Sequence, residues 1–242
     1  NSHYKRPPFV PCNHQGSCEE AHCQCFRDGV QCEKTCACPP SCGRRFDGCN
    51  CAAKHGACWK RERCPCFLLH RECDPDLCAR CGADEVLDPA NRYDNELVST
   101  KCANVGIQRN VARRTLLGQS QVAGFGLYIG EDVKVDDFLG EYTGEIVTKN
   151  EAERREEIYE HQHKLFIFTL NKEQDIDATR AGNKFRFLNS SRADPNVYTK
   201  VLLCNTAHRV GLYAKSNIKA GEELFFDYGY MHIFLPFAFL IC

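Results

Sequence analysis

Residues 182–196 read GNKFRFLNSSRADPN, a polar loop that follows the strand-like run "QDIDATR" and closes on the turn dipeptide Pro195-Asn196. A loop this dense in donors and acceptors, hung behind an apolar run, has the make-up of a ligand-binding element. Short β-branched and aromatic-rich runs lie on both sides. "VAGFGLYIG", "DFLGEYTGEIV" and "KLFIFTL" come before it and "KVLLCN" and "RVGLYAKSNI" after it, separated by Gly, Asp, Asn and Lys. One helix interrupts them, "TKNEAERREEIYEHQHK", with Thr148 at the N-cap and Glu151 placed for a capping box. The pattern predicts a mainly β domain of short sheets with few helices.

The 242 residues are 43% hydrophobic with a net charge of −1, enough to bury a core and without the signature of disorder or of an overall basic nucleic-acid binder. No run reaches the ~20 apolar residues of a membrane span, so no membrane partner is expected. The opening "NSHYKRPPFVPC" has no apolar signal region, which favours a reducing compartment.

Of 19 cysteines, sixteen lie between Cys12 and Cys81; only Cys102, Cys204 and Cys242 follow. A stapled N-terminal module therefore precedes an ordinary globular domain. Cys23-Gln-Cys25, Cys36-Ala-Cys38, Cys49-Asn-Cys51 and Cys64-Pro-Cys66 repeat a Cys-x-Cys unit that aims two thiolates at one small volume, which suits metal better than a disulfide framework. Cys12, Cys18, Cys23, Cys25, Cys32, Cys36, Cys38 and Cys42 with His14 give nine ligands. Three tetrahedral zinc ions need twelve positions, which six terminal and three bridging ligands fill. Cys49, Cys51, Cys58, Cys64, Cys66, Cys73, Cys78 and Cys81 nearly repeat the set, with Cys102 or His55 as the ninth. Two clusters and about six zinc ions per chain follow.

Residues 1–81 hold 12 Lys+Arg against 9 Asp+Glu, but zinc-bound thiolates reverse that surplus. Any DNA contact needs a local basic face, such as Arg44-Arg45 or Lys60-Arg61 with Arg63.

"GFG" (124–126), "GEYTGE" (140–145), "DATRAGNKFRFLN" (177–189) and "AGEELFFDYGY" (220–230), following "RECDPDLC" (71–78), resemble the SET-domain lysine methyltransferases, specifically the Enhancer-of-zeste type of Polycomb repressive complex 2. The resemblance runs to Tyr230. It implies an N-terminal extension (1–11), a CXC zinc-cluster module (12–81), a linker (82–114), a knotted SET domain (115–230) that threads "ELFFDY" near the Asn189 loop, and an atypical apolar tail (231–242). It also implies a nuclear enzyme that uses S-adenosylmethionine to methylate histone H3 at lysine 27. Its implied partners are the H3 tail, the nucleosome, and the WD40-repeat and VEFS-type zinc-finger subunits of that complex.

In that reading Tyr228 is the catalytic tyrosine and Phe226 lines the lysine channel, where Phe allows more than one methylation. Gly124, Phe125, Gly126, Arg186, Asn189, Ser190 and Tyr228 face the cofactor, the glycines letting backbone approach it closely. For Phe226, Phe125 and Tyr228 plain core packing is the competing role.

The chain departs from the family pattern in several places. Asn189-Ser190-Ser191 stands where Asn-His-Ser is usual, Leu188 is larger than usual, and one extra residue precedes Pro195. Gln162, beside His163, replaces a tyrosine, and "MHIFLPFAFLIC" replaces a polar closing tail. These departures motivate a second reading, a weak or inactive SET protein serving as a chromatin scaffold. A DNA-binding CXC protein is the third.

Overall fold

Cysteine makes the first core. In the computed structural model, which describes residues 6–51, 58, 64–162 and 165–227, Cys12, Cys18, Cys23, Cys25, Cys32, Cys36 and Cys38 bury together. Cys49, Cys58, Cys64, Cys66, Cys73, Cys78, Cys81 and Cys102 bury with Phe46, Ala83, Val86 and Val105. Little regular structure surrounds them. Helices α1 (Gln24–Arg27) and α2 (Pro65–Leu68) are single turns, too short to persist without tertiary support. Each begins directly after a cluster cysteine, Cys23 or Cys64.

Residues 82–114, expected as a linker, contain α3 (Ala83–Leu87), α4 (Asn95–Thr100) and α5 (Gly106–Arg109). Asp94 caps α4 by accepting from the Leu97 N–H at 2.9 Å. Residues up to Arg109, with Leu170–Glu173 and Val201–Arg209, form one compact unit.

"RECDPDLC" is the joint of that unit. Arg71, Glu72 and Asp74 are all buried. Arg71 forks onto the Glu33 carboxylate at 2.5 and 2.8 Å and lies 3.7 Å above the Phe46 ring. Glu72 accepts from the backbone N–H groups of Ile107 and Gln108 at 2.7 and 3.0 Å, satisfying donors that the first turn of α5 leaves open. Burial pushes the Glu72 carboxyl up, and those N–H groups oppose it. Asp74 pairs with Lys34 at 2.8 Å. The segment thus ties the two cysteine clusters together through polar groups that have no water to fall back on.

The second unit comprises Asn110–Thr169, Gln174–Lys200 and Val210 onward. Its strands are β1 (Thr115–Gln119), β2 (Phe125–Ile129), β3 (Phe138–Tyr142), β4 (Glu145–Thr148), β5 (Ile167–Thr169), β6 (Gln174–Asp177), β7 (Asn189–Ser190), β8 (Val197–Cys204), β9 (Ala207–Ala214) and β10 (Phe225–Phe226). They form a β1-β2 hairpin, a β4-β6-β5 sheet and a β3-β9-β8-β10-β7 sheet. The far ends of β8 and β9 belong to the first unit.

The core of this unit is Leu127, Ile129, Leu139, Phe185, Leu188, Val197, Leu212 and Leu224. Leu188, larger than the family's usual residue, is accommodated there. Helix α6 (Lys149–Gln162) starts at the predicted cap, with the Glu151 N–H donating to Thr148 Oγ1 at 3.3 Å. The Glu151 carboxylate is taken by Arg154 and Arg155. Among the described residues no helix is long and apolar enough to cross a membrane.

Candidate metal centres and cofactor site

In the first cluster Cys12 and Cys32 sulfurs stand 3.9 Å apart, Cys25 and Cys36 3.7 Å, and His14 Nε2 lies 3.7 Å from Cys18 Sγ. In the second, Cys49 lies 4.0 Å from both Cys58 and Cys73, and Cys66 3.6 Å from Cys78. A tetrahedral zinc with ~2.3 Å Zn–S bonds sets its sulfurs about 3.8 Å apart. A disulfide would need ~2.05 Å. The donor set therefore fits zinc.

Groups able to hold a metal ion include Cys12-Cys23-Cys25-Cys32, Cys12-Cys18-Cys32-Cys38, Cys12-His14-Cys18-Cys23, Cys49-Cys51-Cys58-Cys64 and Cys49-Cys66-Cys73-Cys78. Cys12, Cys18, Cys23, Cys32 and Cys49 each recur among them, so the groups overlap through shared sulfurs, as a cluster with bridging thiolates requires. Cys42 packs against the first cluster, and Cys81 and Cys102 are buried in the second. His55 lies outside the described residues.

N–H donors aimed at sulfur surround both clusters: Glu33 N to Cys36 and Cys49 N to Cys78 at 3.3 Å, and Asn104 Nδ2 to Cys73 at 3.5 Å. Such donors stabilise thiolate charge and tune a metal bound to it. Without metal the thiols compete for protons. Burial pushes Cys12 up to about 11, while hydrogen bonds from Cys49, Cys66 and Cys73 pull Cys78 down to about 3.

Arg44 and Arg45, one expected basic face, are turned inward. Arg44 donates to the Val30 carbonyl at 2.7 Å, and Arg45 to the carbonyls of Cys36 and Cys38 and to Cys38 Sγ. Their hydrogen-bonding capacity goes to backbone left unpaired by the irregular cysteine loops. Lys60, Arg61 and Arg63 lie outside the described residues.

In the second unit, Asp177 opens "DATRAGNKFRFLN" and is fully buried. It accepts from Arg155 at 2.7 Å, Tyr159 at 3.0 Å and the Thr179 N–H at 2.8 Å. Burial pushes its carboxyl up, but Arg155 and Thr179 outweigh that and hold it below the usual aspartate value. The chain then reverses at Gly182, where a Cβ would stand 2.8 Å from the Ala178 carbonyl oxygen. Arg186 closes the reversal. It donates to the Ala178 and Thr179 carbonyls at 2.9 and 3.1 Å, its guanidinium 5.3 Å from the Phe166 ring and 4.8 Å from that of Phe187. That places Arg186 within the loop as a brace.

The loop delivers Asn189 and Ser190 as β7, and β10 lies parallel beside it, Phe225 opposite Asn189 and Phe226 opposite Ser190. Phe226 also pairs with Val197 of β8. Ser191 N donates to Phe226 O and Asn196 N to Phe225 O, both at 3.1 Å. β10 is thus inserted into the loop that joins its own two neighbours, the threading expected of this stretch. Asn196 holds it there, accepting from the Phe225 N–H at 2.7 Å and donating to the Glu223 carbonyl at 2.8 Å.

Phe226 stands 6.5 Å from Phe168, which stands 5.6 Å from Tyr142. Phe125 is 63% exposed at the edge of β2, and Gly124, at φ +50°, has open space where a Cβ would project. Gly126 differs: the space of its missing Cβ is occupied by the Glu223 carboxylate. Asn189 Nδ2 donates to the carbonyls of Ala123 and Phe125 at 3.3 Å and to Glu223 at 3.1 Å. The structure thus brings Asn189, on the edge strand β7, against the Gly124–Gly126 segment, with Ser190 next along β7 and Phe226 on the inner strand paired to it. Tyr228 and the tail from residue 231 lie outside the described residues, as do His163 and the side chain of Gln162. Glu223 and Asn196 were missed in the sequence, where Gly126 was the available signal.

A CXC domain model matches residues 48–83 and a SET domain model residues 124–229. Over 226 residues the chain is 44% identical to the histone-lysine N-methyltransferase CLF of Arabidopsis thaliana, across 92% of this chain and 24% of that protein.

The chain belongs to the SET-domain family, in its Enhancer-of-zeste branch.

The histone-lysine N-methyltransferase EZ3 of Zea mays is 43% identical over the same shares. The solved structure of ctPRC2 in an autoinhibited conformation bound to S-adenosylmethionine matches with a TM-score of 0.87 at 41% identity, over 94% of this chain and 30% of that one. An active Polycomb repressive complex 2 in the basal state matches at 0.86 and 40%, over 94% and 31%. This SET-domain chain spans 24% of the length of those plant relatives. Its first group of eight cysteines, residues 12–42, lies ahead of the CXC match.

Proposed function

We propose that this chain is the catalytic portion of a nuclear, S-adenosylmethionine-dependent methyltransferase that places the lysine-27 mark on histone H3 as part of Polycomb repressive complex 2. The observation that carries the reading is the parallel register of β10 on β7, which brings the strand leading into Tyr228 beside Asn189. Relatives whose names state histone-lysine methylation, and a structural neighbour bound to S-adenosylmethionine, support it.

Methyl transfer to an amine is an in-line displacement: a C–N bond forms as the C–S bond breaks, the electron pair leaves with sulfur, and the amine sheds a proton. The sulfonium cofactor supplies the methyl group. The protein's work is alignment and exclusion of water rather than strong acid or base chemistry. Phe226, with the nearby ring of Phe168, gives the incoming lysine stem an apolar wall, and Tyr228 orients its amine. Asn189, Ser190, the exposed ring of Phe125 and the open backbone at Gly124 hold the cofactor. Arg186 serves that site by bracing the loop.

The two cysteine clusters, with His14 in the first, hold about six zinc ions that fix the CXC module. The H3 tail in its nucleosome is the substrate, and WD40-repeat and VEFS-type subunits are the partners. A radiolabelled methyl-transfer assay on nucleosomes, with those subunits present, tests the reading. No label on H3 lysine 27 from the complete complex refutes it.

A further inference from the structure

We infer that Glu223 is a positioning residue of the cofactor site, and that Gly126 is a glycine in order to admit it. The inference rests on the methyltransferase reading above and deepens it. The Glu223 carboxylate enters the space left by the missing Gly126 side chain. One oxygen accepts from Asn189 Nδ2 at 3.1 Å and the other lies 3.2 Å from the Tyr128 hydroxyl. That hydroxyl also reaches the Gln119 carbonyl at 2.8 Å. Backbone pairing of Glu223 with Tyr128 and the Asn196 clamp on its carbonyl fix where the side chain starts. One carboxylate therefore ties together β2, the Asn189 loop and the strand leading into β10.

This arrangement decides which face Asn189 presents. Its amide N–H₂ has two hydrogens and meets three acceptors: the carbonyls of Ala123 and Phe125, and Glu223. An amide flipped by 180° would turn its oxygen onto all three, so the nitrogen stays inward. The oxygen, Oδ1, makes no hydrogen bond among the described residues. Asn189 thus presents an acceptor, and the cofactor group that meets it is a hydrogen-bond donor, an amine or hydroxyl. The negative charge of Glu223 strengthens the hold on the amide beyond what two neutral carbonyls provide.

The two roles of Gly126, room for the cofactor and room for Glu223, separate in a double-mutant cycle. Calorimetry with S-adenosylmethionine on the full chain assembled with its partner subunits would compare wild type, E223Q, E223A, G126A and the G126A/E223A double variant. E223A and G126A should each weaken binding about tenfold, the double variant no further, and E223Q about threefold. KM for the cofactor should rise in step while KM for the histone substrate holds, a split that a general loss of stability would not produce. Unchanged affinity in E223A overturns the inference. So does a further tenfold loss on adding G126A to E223A, which would assign that glycine to the cofactor itself. Should E223A lack a cooperative melt, the near-isosteric E223Q decides, wild-type affinity there being the refuting result. No binding by wild type would overturn the methyltransferase reading, and this inference with it.

Discussion

Arg71 and Glu33, 38 residues apart in the chain, meet as a two-point fork with side chains only 5% and 4% exposed. The pair joins the second cysteine cluster to the first, and the Phe46 ring under the guanidinium completes the enclosure. A buried fork of this kind contributes little net stability, because desolvation offsets most of the attraction, but breaking it strands a charge. Arg71→Met should therefore cost about 3–5 kcal/mol, read as a lowered midpoint in chemical denaturation of the zinc-loaded protein. A midpoint within error of wild type would show that Glu33 finds another partner.

Metal content gives a second number. Elemental analysis should find about six zinc per chain, and chelation should unfold the cysteine-rich unit, since its buried core is largely the ligands themselves. Two or three zinc per chain would exclude two three-metal clusters. His14→Ala should lower the first cluster's occupancy.

Acid should act on the SET unit through Asp177. Its folded carboxyl titrates below the ordinary aspartate value. The stabilisation from its ionised form is therefore complete above the unfolded value and disappears as pH falls through the folded one. Near-ultraviolet circular dichroism should show loss of tertiary signal steepening below about pH 4, with a shallower acid slope in Asp177→Asn. Parallel slopes in the two proteins would remove Asp177 from the account.

Tyr228→Phe should abolish methyl transfer while cofactor affinity stays near wild type, because the proposed role of the hydroxyl is on the amine rather than on the cofactor. An active variant ends the catalytic assignment. Single-turnover assays alongside calorimetry distinguish the two effects.

Ser190 predicts a weakened cofactor site that still functions. The backbone of β7 is intact there and pairs with Phe226, so the change from the family's histidine removes side-chain packing and one hydrogen bond. Such a bond is worth about 0.5–1.5 kcal/mol, roughly three-fold to twelve-fold in affinity. Ser190→His should recover that factor in calorimetry. A silent wild type that the substitution does not rescue would favour the scaffold reading.

What the sequence made legible follows from how local each feature is. Thr148 as a cap, the strand runs and the paired cysteines are readable because neighbours in the chain decide them. The capping box is only half formed, since Arg154 and Arg155 sit within one turn and outbid the backbone for Glu151. "DFLGEYTGEIV" reads as one run but becomes β3 and β4 in different sheets, with Gly144 between them pressed to 2.5 Å from the Asp177 carbonyl at its Cβ position. Residues 82–114 read as a connecting stretch because their composition is mixed and turn-rich, as in "GADEVLDPANRYDNEL". Buried partners such as Glu72, 35 residues from Ile107, order α5. Glu223 stayed hidden for the same reason: nothing adjacent to Gly126 reveals that a carboxylate 97 positions later fills its place.

The insertion of β10 between β7 and β8 also sets an order of assembly. While the chain is being synthesised, the Asn189 loop and the hairpin that follows it can form early, yet the loop between β7 and β8 stays empty until Phe225 and Phe226 have left the ribosome. Closing it requires a non-local pairing, the kind of step that is slow and comes late. Under the proposed function, a chain interrupted anywhere before Phe225 would keep nearly all the residues assigned to the cofactor and still lack the strand that completes their site, so only a protein translated past that point would compete for the methyl donor.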